Sequence, residues 1–132
     1  MKRQRISSGK PWESQVGYSR AVRVGPFIQV AGTTGVDDSG QVVSPDPYRQ
    51  AQKALETIAA ALKEAGASMA DVVRTRIYVT DISQWEAIAR AHAEYFRDIR
   101  PAATMVEVRR LISPEIVVEI EADAIVADEG EP

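Results

Sequence analysis

The fold is set by residues 46–80, which read DPYRQAQKALETIAAALKEAGASMADVVRTRIYVT. Asp46 followed by Pro47 predicts a helix start, because Asp offers a side-chain acceptor to the first free amides and Pro fixes the backbone of the first turn. Gly66 predicts the C-terminal end of this helix. Between them apolar residues recur at the spacing of one helix face: Ala51, Ala54, Leu55, Ile58, Ala59, Leu62 and Ala65. The stretch therefore begins with an amphipathic helix.

A β-strand is predicted directly after this helix, over residues 72–80. β-Branched and polar residues alternate there with the two-residue period of a strand. One face is expected to carry Val73, Thr75, Ile77 and Val79, and the other Arg74, Arg76 and Tyr78. The helix and this strand form the centre of the predicted domain.

Further elements are predicted on both sides of this centre. Residues 19–24 and 27–31 flank the turn dipeptide Gly25-Pro26 and predict a β-hairpin. Residues 83–86, with the sequence SQWE, have the pattern of a capping box, with Ile82 as its staple residue, and predict a second helix to about Asp98. Two strands are predicted to finish the chain, at 103–110 and 116–126.

The resulting order β-β-α-β-α-β-β predicts an α+β domain, a two-layer sandwich with both helices on one face of a mixed sheet. The whole chain, residues 1–132, is expected to form this single domain. Residues 1–15 and 127–132 are expected to be peripheral, with a frayed tail at 128–132. Residues 32–47, which are rich in Gly and Pro, are expected to form the longest loop.

The second face of the predicted sheet has no helix to cover it. We expect it to carry apolar residues such as Met105 among complementary charges. The charged set is Arg74, Arg76, Glu107, Arg109, Glu119 and Glu121. Such a face favours a symmetric oligomer whose arginines and carboxylates pair across subunits, and a face covered by water is the alternative.

The composition argues against several classes of function. The chain has 16 Lys and Arg against 19 Asp and Glu and a net charge of −3, so no overall positive field attracts nucleic acid or anionic lipid. It has no Cys and one His, which excludes disulfides, thiolate metal sites and zinc sites built on several imidazoles. No apolar run reaches the roughly 18 residues of a membrane span, and no export signal follows the N-terminus. We expect a cytoplasmic protein with neither nucleic-acid nor membrane partners.

Two polar features are assigned structural roles. His92 lies on the apolar stripe of the second predicted helix, so we expect a hydrogen-bonded core or boundary residue rather than a general base. Asp37 and Asp38 are acidic neighbours in the long loop, but the loop lacks the further spaced oxygens of a calcium loop. We therefore expect turn chemistry there and no metal site.

Six blocks of sequence follow one another in the order and spacing of a known family: VGYS at 16–19, GPFIQVAG at 25–32, EAGA at 64–67, DVVRT at 71–75, RPA at 100–102 and VEIEA at 118–122. With these blocks the chain resembles the Rid (YjgF-type) family from about Tyr18 to Ala127. The resemblance implies a homotrimer of chorismate-mutase-like subunits with the sheets inward and the helices outward. It also implies a small-molecule cleft at each subunit interface and no metal or organic cofactor.

The best-known Rid proteins, the RidA deaminases, hydrolyse 2-enamine and 2-imine intermediates to 2-oxo acids and ammonia. In them an Arg directly after the Pro-Ala pair binds the substrate carboxylate, because a planar guanidinium can hold it through two hydrogen bonds. Here that position is Ala103. The resemblance assigns Glu119 to positioning or activating the attacking water, and Tyr18, Ala31 and Met105 to the cleft lining.

Two functions remain open from the sequence. The favoured one is a trimeric module that binds a small metabolite without RidA-type deamination, because Ala103 makes the cleft more apolar. The alternative is an imine or enamine hydrolase whose substrate lacks the 2-carboxylate or places it against Arg74, Arg76 or Arg109. A chaperone-like or ribonuclease role is ranked below both. Glu119 could instead be salt-bridged within the oligomer, and Tyr18 could be an aromatic packed under a loop.

Overall fold

The computed structural model, which describes residues 1–127, has one layer of six strands and a second layer formed by its two long helices. The strands are β1 (Arg3–Ile6), β2 (Ala21–Val24), β3 (Phe27–Thr34), β4 (Val72–Val79), β5 (Ala102–Glu107) and β6 (Val118–Ile125). The helices are α1 (Pro11–Val16), α2 (Pro47–Glu64) and α3 (Trp85–Phe96). The sheet order is β1-β2-β3-β6-β4-β5, with β4 and β5 parallel and all other neighbours antiparallel. The predicted two-layer α+β class is confirmed, and the tail at 128–132 lies outside the described residues.

Helix α2 starts where the sequence predicts. The Asp46 carboxylate accepts a hydrogen bond of 3.0 Å from the backbone N–H of Tyr48, and Pro47 is the first helical residue. Gly66 follows the helix with a φ of 85°, a left-handed conformation that strongly favours glycine. The apolar face of the helix packs against β3 and β6, and its buried members are Ala51, Ala54, Leu55, Ile58, Ala61 and Leu62.

The alternation predicted for β6 is also confirmed. Its apolar residues are buried under the helices, namely Val118, Ile120, Ala122 and Ala124. The acidic residues between them point to the opposite side of the sheet, which we call the open face. In β4 the alternation is broken at Val73, which is 44 % exposed although Val72 and Thr75 are buried. The pairing register with β6 shifts between Val72 and Arg74, so the prediction that Val73 faces the core is wrong because a bulge turns it outward.

Helix α3 begins differently from the prediction. A single 3₁₀ turn at Ile82–Gln84 precedes it, and Asp81 caps this turn by accepting hydrogen bonds from the Ser83 backbone N–H at 3.0 Å and hydroxyl at 2.6 Å. Gln84 stands at the N-cap of α3 without a side-chain hydrogen bond to the helix. The predicted capping box is therefore wrong, because the Ser83 hydroxyl donates to Asp81 instead of accepting from the first turn of the helix.

The side chains of β5 face the opposite way from the prediction. In the parallel pairing of β5 with β4, Met105 stands beside Ile77 and Glu107 beside Val79. Ile77 and Val79 are buried on the helix side, so Met105 and Glu107 lie on that side as well. Met105 packs against the hydrophobic core. The prediction that Met105 and Glu107 share the open face is wrong, and Arg109 lies beyond the end of β5.

The N-terminal residues, which the sequence placed at the periphery, form two elements that it did not predict. Strand β1 pairs with β2 at the edge of the sheet, and its Ile6 is only 5 % exposed. Helix α1 follows and ends at Gly17, whose φ is 87°. Strand β1 has four residues with a single apolar side chain among polar and charged ones, which gives little strand periodicity, so β1 is not evident from the sequence.

Candidate functional site

The open face carries a charged network in which one arginine is paired with two carboxylates of the same chain. The Arg76 guanidinium lies 3.0 Å from the Asp123 carboxylate and 4.0 Å from that of Glu121. The Tyr78 hydroxyl donates to Glu121 at 3.0 Å. Arg74, on the same strand as Arg76, donates to the hydroxyl of Thr104 on the neighbouring strand β5 at 2.7 Å. Arg76 is therefore already paired with carboxylates, and Arg74 is turned toward β5.

Glu119 differs from its neighbours because its carboxylate is half-buried and lacks a partner. Within residues 1–127 it accepts no hydrogen bond and forms no ion pair. Its Oε2 lies against Gly32 of β3, in the space that a Cβ at residue 32 would fill. Burial raises the pKa of Glu119, the negative charge of Glu121 raises it further, and Arg20 opposes both. Such a carboxylate can exchange a proton with a bound water or ligand.

Arg20 lies at the same glycine and was not among the residues selected from the sequence. Its Nη2 donates to the Gly32 carbonyl, and its guanidinium carbon lies 5.8 Å from the centre of the Tyr18 ring. Its Nε is buried and has no hydrogen-bond partner among the described residues. The available signal in the sequence was its position two residues after Tyr18, because residues i and i+2 of an extended segment point to the same face.

A cavity of about 1050 Å³ opens on this face between the N-terminal segment and the sheet. Tyr18 and Ala31 line it, together with the Arg76, Glu121 and Asp123 network. Glu119 does not line it, but reaches Gly32, the residue that follows Ala31. The structure thus brings together three of the predicted site residues, Tyr18, Ala31 and Glu119, around Gly32.

The structure does not bring Ala103 and Met105 to this group. Both lie on β5, which is separated from β6 by β4, a distance of roughly 10 Å across two strand spacings. Ala103 stands beside the buried Thr75 and, like Met105, is directed to the helix side of the sheet. Ala103 itself is exposed at the sheet edge. One chain therefore presents the predicted residues as two separate groups.

His92 and Asp37 have the structural roles predicted for them. The His92 Nε2 lies 2.9 Å from the Thr75 hydroxyl oxygen and the ring packs on Phe96 with centroids 4.6 Å apart, while burial lowers the pKa of His92. Asp37 accepts hydrogen bonds from Ser39 N–H at 2.9 Å and Gln41 N–H at 3.0 Å, which closes a turn. Among residues 1–127 no three His, Asp or Glu side chains are grouped to hold a metal ion. The described helices include none that is long and apolar enough to cross a membrane.

Comparison with known proteins gives a consistent result over most of the chain. The family model described as "Endoribonuclease L-PSP" matches residues 9–126. A RutC family protein of Pyrococcus abyssi is 40% identical over 108 residues, which is 81% of this chain and 84% of the relative. The human 2-iminobutanoate/2-iminopropanoate deaminase is 34% identical over 121 residues, 91% of this chain and 88% of the relative.

A solved structure agrees with this result. The crystal structure of Rv2704 from Mycobacterium tuberculosis, described as a member of the YjgF/YER057c/UK114 family, superposes with a TM-score of 0.88 at 54% identity. The match covers 95% of this chain and 100% of the other.

Proposed function

Because the chain belongs to the Rid (YjgF) family, we propose that it binds a small metabolite in a cleft formed where two copies of the chain meet in a homotrimer. In this proposal the open face supplies one wall of the cleft through Tyr18, Ala31 and Glu119. The edge strand β5 of a neighbouring copy supplies the other wall through Ala103 and Met105.

The observation that carries this proposal is the half-buried, unpaired carboxylate of Glu119 at Gly32, beside Tyr18 and Ala31. A carboxylate left without a partner in a partly buried position destabilises the fold, and residues of this kind are concentrated at functional sites. The division of the predicted residues between the open face and the exposed edge of β5 supports a site completed by a second copy.

We further propose that RidA-type deamination of 2-imino acids is absent. Ala103 stands where the RidA deaminases have the arginine that holds the substrate carboxylate, and its methyl group offers neither charge nor hydrogen bond. The human relative is named for two 2-imino acids, each of which carries such a carboxylate. Without the guanidinium at residue 103, the reacting C=N carbon of such a substrate is not held by the RidA contact.

The test measures the release of ammonia and 2-oxo acid from 2-iminobutanoate generated in solution. Wild type, Ala103→Arg and Glu119→Gln are compared with the spontaneous rate. The proposal predicts that wild type releases ammonia no faster than buffer, while 2-oxobutanoate raises its melting temperature in a saturable manner. Release faster than buffer by wild type would contradict the absence of deamination.

A second candidate function is an imine or enamine hydrolase with a different substrate, and the raised pKa of Glu119 favours it. A carboxylate of that kind can accept a proton from a water that attacks a C=N carbon, which contributes about 10²–10⁴-fold in known enzymes. The same assay, repeated with an imine that lacks the 2-carboxylate, distinguishes this candidate, because an enhancement by wild type that disappears in Glu119→Gln identifies the hydrolase. The ribonuclease activity in the family description is not part of the proposal, since the net charge of −3 provides no field for RNA.

A further inference from the structure

We propose that Arg20 binds the carboxylate of the ligand and so takes the place, from the opposite wall of the cleft, of the arginine that is absent at residue 103. The inference rests on the proposed function, because it requires a ligand at this site. It assigns the ligand to a chemical class, that of small carboxylates.

The guanidinium of Arg20 has unused hydrogen-bond donors. An arginine side chain carries five N–H donors in a planar fork. Only Nη2 has a protein acceptor among the described residues, the Gly32 carbonyl. Nε is buried without an acceptor, which is uncommon for a native structure because a buried donor without a partner is unfavourable. A carboxylate is the group that matches the remaining edge of the fork.

No carboxylate of the described chain forms an ion pair with Arg20. Two acidic side chains are near enough to interact with it electrostatically, Glu13 and Glu119. Glu13 accepts hydrogen bonds from the backbone N–H and the hydroxyl of Ser8, both at its Oε2, and it forms no ion pair with Arg20. Glu119 lies against Gly32 instead, beyond ion-pair distance from Arg20. No carboxylate of the described residues is therefore paired with this guanidinium.

Arg20 is held at the place where the site residues converge. Its own carbonyl accepts a 3.0 Å hydrogen bond from Ala31 N–H, and its Nη2 binds the carbonyl of Gly32. The Tyr18 ring lies 5.8 Å from the guanidinium carbon, within the range of a cation–π contact. A ligand bound by Arg20 would thus contact the aromatic ring and face Glu119, whose raised pKa reduces the repulsion between two carboxylates.

Arg23, three positions after Arg20, provides a matched control on the other face of the sheet, where it pairs with the buried Ile28. Its Nε donates to the Gly25 carbonyl at 2.9 Å and its Nη1 to the Ala65 carbonyl at 2.6 Å. This guanidinium is therefore bound to backbone acceptors in the β2–β3 turn and at the end of α2. Arg23→Gln therefore removes the same charge from the chain without removing a group of the proposed site.

The test compares dissociation constants of 2-oxobutanoate and 2-oxobutanamide, which have the same size and differ in charge, by calorimetry. For wild type we expect the carboxylate to bind about tenfold or more tightly than the amide, as is typical of a charge-assisted contact. We expect the ratio of the amide dissociation constant to the carboxylate dissociation constant to fall close to one in Arg20→Gln. The same ratio should be unchanged in Arg23→Gln. A ratio that persists in folded Arg20→Gln would overturn the role of Arg20 and leave the proposed function standing.

A second measurement needs no substitution, in case Arg20→Gln does not fold. The Arg20 Nε–H resonance of ¹⁵N-labelled wild type is followed during titration with each probe. The inference predicts a saturable shift with 2-oxobutanoate that is absent with 2-oxobutanamide, and an equal response to both overturns it. If neither probe binds wild type, the proposed function fails together with the inference, which distinguishes that result from a failure of Arg20 alone.

Discussion

Replacing Gln50 by Leu should destabilise the protein strongly, because this side chain holds two loops to helix α2. Gln50 is 0 % exposed, and its Nε2 donates to the carbonyls of Ser44 and Glu115, each at 2.8 Å. Its Oε1 accepts from Val117 N–H at 2.9 Å. One buried amide thus satisfies three backbone groups, two of them in the connection that leads into β6.

The expected magnitude follows from these three bonds. A buried backbone group left without a partner costs about 1–3 kcal/mol, and the lower part of that range gives roughly 3–5 kcal/mol for three groups. Burying the leucine side chain instead of a polar amide returns about 1–2 kcal/mol. The net loss is about 1–4 kcal/mol, which is a substantial part of the roughly 5–15 kcal/mol by which domains are stable.

The assay is urea denaturation followed by tryptophan fluorescence at one fixed protein concentration, because association couples to unfolding. Gln52→Leu is the matched control, since Gln52 lies on the same helix and its amide donates to the Tyr48 hydroxyl at the surface. We expect Gln52→Leu to stay within about 0.5 kcal/mol of wild type. A loss below about 1 kcal/mol in Gln50→Leu would refute the reasoning, because the three bonds would then not hold the loops.

Three further predictions concern the site and its supports. Gly32→Ala should abolish ligand binding, as measured by calorimetry, with little loss of stability, because the added Cβ displaces the flexible Glu119 carboxylate. Gly35→Ala should lower the free energy of unfolding by about 2 kcal/mol or more, because its added Cβ meets the Gln50 backbone at 2.6 Å. Urea denaturation measures the stability of both variants, and equal losses would contradict the assignment. Glu119→Gln should raise the free energy of unfolding at pH 7.5, because the pKa of Glu119 is raised in the folded protein. The stability that this carboxyl contributes is full below its unfolded pKa of 4.5 and is lost as the pH rises through its folded pKa. A stability gain of the variant that does not shrink toward pH 4 would be inconsistent with this cause. Asp46→Ala should cost about 1 kcal/mol through loss of the cap on α2, as measured by thermal unfolding, and an unchanged melting temperature would show that the cap is dispensable.

Much of the fold could be predicted from the sequence because its local and long-range signals agree. Helix α2 has an N-terminal cap, an apolar face and a C-terminal glycine in the expected order, and buried and more exposed residues alternate along β6 without interruption. The sequence patterns gave wrong side-chain directions where the pairing between strands decides which face a residue occupies. The bulge at Val73 and the phase of β5 depend on register with a neighbouring strand, which periodicity within one strand does not contain.

The candidate site was predictable only in part, because one of its residues comes to the site through strand pairing. Tyr18, Ala31 and Glu119 were selected through resemblance, and the structure brings them together at Gly32. Arg20 was not selected, because it belongs to none of the motifs that carry the resemblance to the family. Its contact with Gly32 depends on the pairing of β2 with β3 and of β3 with β6, and no local pattern encodes that contact.

The measurement that tests the central claim most directly is a titration of ¹⁵N-labelled wild type with 2-oxobutanoate, read residue by residue from the amide resonances. An interfacial cleft predicts saturable shifts with one dissociation constant in both groups, around Gly32 on the open face and around Ala103 on β5. The two groups lie on opposite sides of the sheet within one chain. Shifts confined to one group, or no saturable shift in either, would contradict a binding site shared between two copies.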